Sequence, residues 1–404
     1  KAIESLGQKK KIAVNNTATF QKRFGNDHFT NSVLGQSFET STEQFTSISG
    51  THFFNDHIQS IGAAPSTRVR QSIQRQWALV SYFARLNYAF RNKYYAGITY
   101  RIDGSSRFSQ NERYVGFPSF SAGWTISEEA FMKPIDFVSE LKIRASLGFV
   151  GIQSSGGYYG NQGQYVIHDN NFNYAGLPIL VLTQPNNPNL KWERTRSVNA
   201  GMDISLFNSR IDIVYDYYHR MISNMLYTSN IPLYQGWASQ TQNIGSMENY
   251  GMELTVTSLN ILSQWFSWSS SLNISGNRNK VIKLNFTGSD LGFAESGYKY
   301  LREGEPAGQF YLFEWMGVDP LTGNPLWKDA SGEVSTVPPA SRWRVDDDVN
   351  IHRRSFGTGL PTIYGGIDNM FTYSNFEFSF FFSFSYGGKM INGSRATLLT
   401  YSTD

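Results

Sequence analysis

The stretch ALVSYFARLNYAFRNKYYAGITYRID, residues 78–103, decides the fold. In its second half Tyr94, Ala96, Ile98, Tyr100 and Ile102 fall on one side, and Tyr95, Gly97, Thr99, Arg101 and Asp103 on the other. A period of two is the mark of a β-strand with two unlike faces. In its first half Ala78, Val80, Tyr82, Ala84, Leu86, Tyr88 and Phe90 alternate with a side carrying Ser81, Arg85 and Asn87. Arg91-Asn92-Lys93 between them is a tight polar turn, so the two halves form a hairpin.

The pattern repeats outward from there. It returns at 141–149, 198–206, 210–218, 249–257 and 265–276. It is clearest at 376–386, where Phe376, Phe378, Phe380, Phe382, Phe384 and Tyr386 oppose Glu377, Ser379, Ser383 and Ser385, with Phe381 as the exception. About thirteen strands are predicted, most near the roughly ten residues a tilted strand needs to cross a bilayer. Short turns fall near 25–28, 91–93, 207–210, 259–264 and 374–375. Long polar or Gly-rich segments fall near 39–76, 103–116, 150–190, 222–246, 277–309 and 319–361, and a small helix is expected within 127–140. Short turns at one end and long loops at the other characterise outer-membrane barrels. A soluble β-sandwich or propeller also alternates, but it does not explain long strands, aromatic outer faces and unequal connections together. The expected fold is therefore all-β, an antiparallel transmembrane β-barrel. Tyr94, Ala96, Ile98, Tyr100 and Ile102 are expected to face lipid, as are Phe376, Phe378, Phe380, Phe382 and Phe384.

Composition agrees. The hydrophobic fraction is 40% over 404 residues and mean hydropathy is slightly negative, the average that alternating strands produce. The 30 Phe, 23 Tyr and 9 Trp suit interfacial girdles. With no cysteine, disulfides and thiolate metal sites are excluded. A net charge of +3 with both signs dispersed argues against nucleic acid as a partner. No apolar run approaches a membrane helix, and Lys1-Ala2-Ile3-Glu4-Ser5 does not read as a signal peptide.

Nothing in the chain reads as catalytic, and no metal or cofactor is expected. His52 and His57 lie in a loop without the spacing of a zinc helix. Gly156-Gly157 and Gly62-Ala63-Ala64 do not join a strand to a helix, so they are not phosphate loops. In the run from Arg101 to Arg107, ion pairing of Arg101, Asp103 and Arg107 on the polar face is expected, with Gly104 easing a bend. The loop aromatics Tyr158, Tyr159, Tyr174, Tyr234 and Trp237 are the candidate ligand contacts, with packing against other loops or a partner as the competing reading.

Several blocks resemble one family, the SusC/RagA-like TonB-dependent outer-membrane transporters. They are NYAFRNKYYAGITYRIDGSSRFSQNERYVGFPSFSAGWTISEEAFMK (87–133), LKIRASLGFVG (141–151), NPNLKWERTRSVNAGMDISLFNSRIDIVYDYYHR (187–220), NIGSMENYGMEL (243–254) and GLPTIYGGIDNMFTYSNFEFSFFFSFSYGGK (359–389). The resemblance implies that 1–404 is part of a 22-stranded barrel domain in the outer membrane of a Gram-negative bacterium. It implies energised import of oligosaccharides or oligopeptides with a SusD-like lipoprotein lid. The TonB complex would act through an N-terminal part, plug included, that this sequence does not contain. The remaining strands are expected from further sequence or a second polypeptide. A passive porin or a surface adhesion or assembly barrel is the alternative. The family's Asp-x-Asn-x-Asp-Gly loop is replaced by Arg344-Val345-Asp346-Asp347-Asp348-Val349-Asn350, so calcium binding is not carried over.

Overall fold

A computed structural model describes the chain except residues 1, 56, 58–59, 154–156, 175–176, 231–235, 237–238, 285–292, 297–298, 329–330, 337–352 and 399–404. The strands are β1 (Ala2–Phe24), β2 (His28–Thr51), β3 (Ser66–Phe90), β4 (Tyr94–Ser105), β5 (Tyr114–Thr125) and β6 (Val138–Ile152). After β7 (Gln164–Tyr174) and β8 (Leu177–Gln184) come β9 (Glu193–Leu206), β10 (Ile211–Asn230), β11 (Ser239–Leu262) and β12 (Phe266–Leu284). Short strands follow: β13 (Phe293–Ser296), β14 (Lys299–Leu301), β15 (Gln309–Phe313), β16 (Trp315–Val318), β17 (Pro325–Lys328), β18 (Val334–Ser335) and β19 (Arg353–Thr358). The chain returns to long strands with β20 (Ile363–Tyr373) and β21 (Phe376–Tyr386).

Twelve strands form one sheet in the order β1-β2-β3-β4-β5-β6-β9-β10-β11-β12-β20-β21, with β1 and β21 as its edges. The remaining strands build small sheets inside the long connections: β7-β8, β13-β14-β15-β19 and β16-β17-β18. By backbone contacts the chain divides into two units, 1–121 with 148–195 and 224–244, and 122–147 with 196–223 and 245–404.

The short turns lie where the alternation stops. Arg91 and Asn92 both adopt positive φ (55° each), the turn geometry whose twist matches that of the flanking strands. Arg91 is an unusual residue there. Its N–H donates to Asp27 O at 2.6 Å and its Nε pairs with Asp27 Oδ2 at 3.1 Å, so the neighbouring turn holds it. Other turns are laced the same way: Phe207 N–H to Phe137 O, Leu259 N–H to Arg210 O, and Ser374 N–H to Trp265 O. Exposed aromatics flank these turns, namely Phe24, Tyr94, Phe137, Phe207, Trp265, Tyr373 and Phe376. Residues 127–140 hold no α-helix; a 3-10 turn, Ile126–Glu128, takes its place.

Pairing sets the faces. Tyr82 opposes Ile102, Ala84 opposes Tyr100, Leu86 opposes Ile98 and Phe90 opposes Tyr94, so the two apolar sides of the hairpin coincide. On β21, Phe378, Phe380 and Phe382 oppose Phe371, Asn369 and Ile367 of β20. Phe376, Phe378, Phe382 and Phe384 are exposed. Phe380 is partly covered by Phe371, Phe378 and Phe382, with ring centroids 5.4–6.0 Å away. Phe381 is exposed on the other face.

Several strands far exceed ten residues. β2 has 24 and β3 has 25; at roughly 3.3 Å per residue each is about 80 Å long. On β2 the apolar face carries Leu34 and Phe38 and then turns polar at Thr40, Thr42 and Gln44. On β3 it carries Tyr82 and Leu86, then Gln76 and Gln74. The ladder continues past that point, so much of 39–76, 222–246 and 277–309, expected as loop, is strand. Alternation of hydrophobicity vanishes when both faces meet water, whereas pairing does not.

The polar face is cross-linked. In the second unit Arg144 donates Nη1 and Nη2 to Asp216 at 2.6 and 2.7 Å, and Nε to Asp203 at 3.2 Å. Gly201 leaves room for this triad, since a Cβ there would sit 2.6 Å from both Arg144 Cζ and Asp216 Oδ1. In the full-length protein Gly201→Val is expected to cost about 1–3 kcal/mol by overpacking. A lower unfolding midpoint in heat-modifiability gels checks it, and an unchanged midpoint would show the triad has room to spare.

Candidate functional site

The site grows from NPNLKWE, 187–193, the segment leading into β9. Asparagine side chains hold it where no ladder does. Asn243 accepts the Lys191 N–H at Oδ1 and donates Nδ2 to Lys191 O, both at 2.9 Å. Asn187 Nδ2 donates to Thr241 O at 2.9 Å, and Glu193 Oε2 accepts the Leu226 N–H at 3.1 Å. Two sequence blocks far apart in the chain are thus one structural unit.

This anchoring buries Leu190 and Trp192 against Phe108, Phe117 and Leu226. Trp192 stacks on Phe108 at 4.7 Å, meets Phe117 edge-on at 5.9 Å, and donates Nε1 to Arg113 O. A cavity of about 420 Å³ opens beside it, lined by Thr99, Arg101, Asp103, Ser119, Phe149 and Gln153 over a floor of Phe117 and Trp192. Arg101 Nε donates to Asp103 Oδ1 at 2.6 Å and Nη2 to Ser81 Oγ at 2.8 Å, which fixes the guanidinium. Among the described residues Gln153 Oε1 is buried without a hydrogen-bond partner, a group whose desolvation is uncompensated until a donor arrives. The floor is closed rather than an open stacking face, because Trp192 is only 3% exposed and Phe117 4%. The arrangement can bind a molecule carrying an apolar group and hydrogen-bond donors.

The sequence expectations distribute around this cavity. Arg101 and Asp103 pair as expected. Arg107 does not join them; its guanidinium lies over Trp77 at 5.1 Å and Tyr158 at 4.7 Å, and burial lowers its pKa. Gly104 eases no left-handed bend. A Cβ there would overlap the Tyr114 ring, so the residue permits a close approach. Tyr158 donates its hydroxyl to Glu43 and lies under Arg75 and Arg107. Tyr159 accepts the Gln76 N–H at 3.0 Å. Both tyrosines therefore pin the segment after β6 to the β2–β3 pair. Tyr174 is in β7, but its side chain lies outside the described residues, as do Tyr234, Trp237 and the loop 344–350. Trp192, Phe149 and Gln153 were not singled out from the sequence. The one hint was a tryptophan in an Asn-Pro-x-Leu-x-Trp run that sits before a strand.

The hydrogen bond to the Glu43 carboxylate, then burial, raise the Tyr158 pKa, against the opposing pull of Arg107 and Arg75. A raised folded value means that this contribution is complete below the ordinary phenol range and is lost as pH rises through the raised value. Proteolysis of 157–163 in the full-length protein should accordingly be flat near neutrality and accelerate only above the ordinary tyrosine range. Tyr158→Phe should be cut faster throughout the pH range in which the wild-type rate is flat, by the loss of about 1.5–3 kcal/mol for a charged-acceptor bond. Equal rates for both proteins would remove the clip.

A family profile described as "TonB dependent receptor-like, beta-barrel" matches residues 7–370. TonB-dependent receptor SusC of Bacteroides thetaiotaomicron is 36% identical over 319 residues, 75% of this chain and 30% of that protein. TonB-dependent receptor P3 of Formosa agariphila is 32% identical over 407 residues, 93% of this chain and 39% of that protein. Among solved structures, one titled "Structure of the RagAB peptide transporter" superposes with a TM-score of 0.80 at 24% identity, covering 94% of this chain and 42% of that one. The chain thus spans about two-fifths or less of each of these three proteins.

Proposed function

The chain belongs to the TonB-dependent receptor-like β-barrel family, and from that premise we propose that it is wall and loops of an outer-membrane importer energised through TonB. The observation that carries the reading is the two-faced sheet. One face is apolar and exposed for roughly ten to thirteen residues from the short turns, and polar beyond; that height matches a tilted strand crossing hydrocarbon. Tyr94, Ala96, Ile98, Tyr100, Ile102, Phe376, Phe378, Phe380, Phe382 and Phe384 are the lipid contacts. The face with Arg101, Asp103, Arg144, Asp203 and Asp216 lines the lumen. The short turns are periplasmic, and the protruding strand ends with their small sheets are extracellular.

A barrel this wide is an open hole unless a plug fills it, and the plug belongs to the rest of the protein. Solute, an oligosaccharide or oligopeptide, is captured outside with a SusD-like lipoprotein and released inward when TonB acts on the plug. Within this chain the cavity beside Trp192 is a solute contact: Gln153 Oε1 receives a hydroxyl or amide donor and the Arg101–Asp103 pair orients it. Tyr158 and Tyr159 position the neighbouring segment, and Tyr174, Tyr234 and Trp237 meet solute or lid. No covalent bond is made or broken.

Uptake by cells carrying the full-length protein should stop on deletion of TonB or addition of a protonophore. Uptake that continues unchanged would make the barrel a passive pore. Independently, Phe380→Arg should cost about 2–4 kcal/mol of barrel stability if the position lies near the bilayer midplane; a neutral outcome would take that face out of the lipid. A cysteine at Ser239 should react with an impermeant reagent on intact cells, and labelling only after outer-membrane rupture would invert the topology.

A further inference from the structure

Reading β9, β10, β11 and β12 of the second unit along their apolar face, away from the short turns, locates where the apolar band ends on them. On β9 the run Leu206, Ile204, Met202, Ala200, Val198 gives way to Arg196. On β10 Ile211, Ile213, Tyr215 and Tyr217 give way to His219. On β11 Val256, Leu254, Met252 and Tyr250 give way to Glu248, and on β12 Leu272 and Ile274 give way past Gly276 to Arg278 and Lys280. The four strands are adjacent in the sheet. Tyr250 opposes Arg278 and Glu248 opposes Lys280 in register.

The single carboxylate is engaged. Glu248 Oε2 lies 3.3 Å from His219 Nε2, and the His219 ring stacks on Tyr250 at 6.5 Å. Arg196, Arg278 and Lys280 are exposed and, among the described residues, form no ion pair. The same boundary in the first unit is uncharged on β2 and β3, with Thr40, Thr42 and Gln76. On β1 the boundary carries one cation, Lys10 opposite Thr42, whereas β9 and β12 together supply three.

We propose that Arg278 and Lys280, with Arg196 at the end of the apolar run of β9, bind the phosphate of an outer-leaflet glycolipid. The inference rests on the reading that this face meets lipid. A guanidinium offers two parallel donors to phosphate oxygens and an ammonium adds a point charge. Both act at the edge of a low-dielectric slab, where charge attraction exceeds its value in water. The aromatic ring of Tyr250 beneath them suits the depth at which head group meets acyl chain.

The full-length protein, reconstituted in phosphatidylcholine nanodiscs doped with lipid A, tests this by native mass spectrometry of the retained lipid. Phosphorylated lipid A should stay bound and dephosphorylated lipid A should not. The double variant Arg278→Gln with Lys280→Gln should retain roughly thirtyfold less, as two interfacial cations imply, with an unchanged unfolding midpoint. Lys10→Gln, a cation on β1, should retain it as before. Equal retention by the double variant overturns the proposal. Displacement by inorganic phosphate alone also overturns it, by making the site one for a free anion. A full-length protein that stays soluble without detergent and does not enter nanodiscs brings down the membrane reading and this proposal with it.

Discussion

A strand in hydrocarbon has no water to satisfy its N–H and C=O groups, so each must be met by a neighbouring strand. That constraint orders the rest of the structure. β1 and β2 pair from Phe24↔His28 to Ala2↔Gly50 without a break. β2–β3, β11–β12 and β20–β21 pair just as continuously through the apolar band. The register shifts of β2–β3 and β11–β12 fall at or past the ends of that band: Ser47/Ile48 and Ser246/Met247 among polar residues, Leu259/Ile261 beside the short turn. A bulge leaves a backbone group unpaired, and the tolerable places for it are the watery ends.

Continuous pairing also imposes one side-chain rule on every strand at once. With no register slip in the band, an apolar position on one strand faces an apolar position on the next, and the polar positions collect on the opposite face. Charges gathered there must neutralise one another, which is why Lys11 pairs with Glu39, Arg101 with Asp103, and Arg144 with two aspartates. Polar groups on the apolar face are treated as strictly. Asn369 Oδ1 takes hydrogen bonds from both Trp268 Nε1 and Ser270 Oγ, and Asn260 donates to Ser270 in turn.

Where strands rise out of the band the rule relaxes and ordinary packing returns. The cluster around Trp192 is a small buried core of the kind a soluble domain has, assembled from the ends of strands and the segment before β9. Side-chain amides substitute for ladder bonds there, with Asn243 binding both N–H and C=O of Lys191. The cavity, the Tyr158 clip and the β7–β8 pair all belong to the first unit, past its apolar runs, where non-repetitive backbone can meet water.

The sequence alone determined the strand alternation, the short turns, the faces of 94–102 and 376–386 and the Arg101–Asp103 pair. Each follows from a local period or a spacing of two residues, which the chain carries in itself. Tertiary structure decided how far the strands run beyond the band, because a ladder between two polar strands leaves no hydrophobic period to read. It sent Arg107 to Trp77 and Tyr158 rather than to Asp103. It also brought Gln153 and Trp192 together with Arg101, and Asn187 with Thr241. Those meetings join residues tens of positions apart, and the pairing order of the sheet, not any local pattern, determines which of them become neighbours.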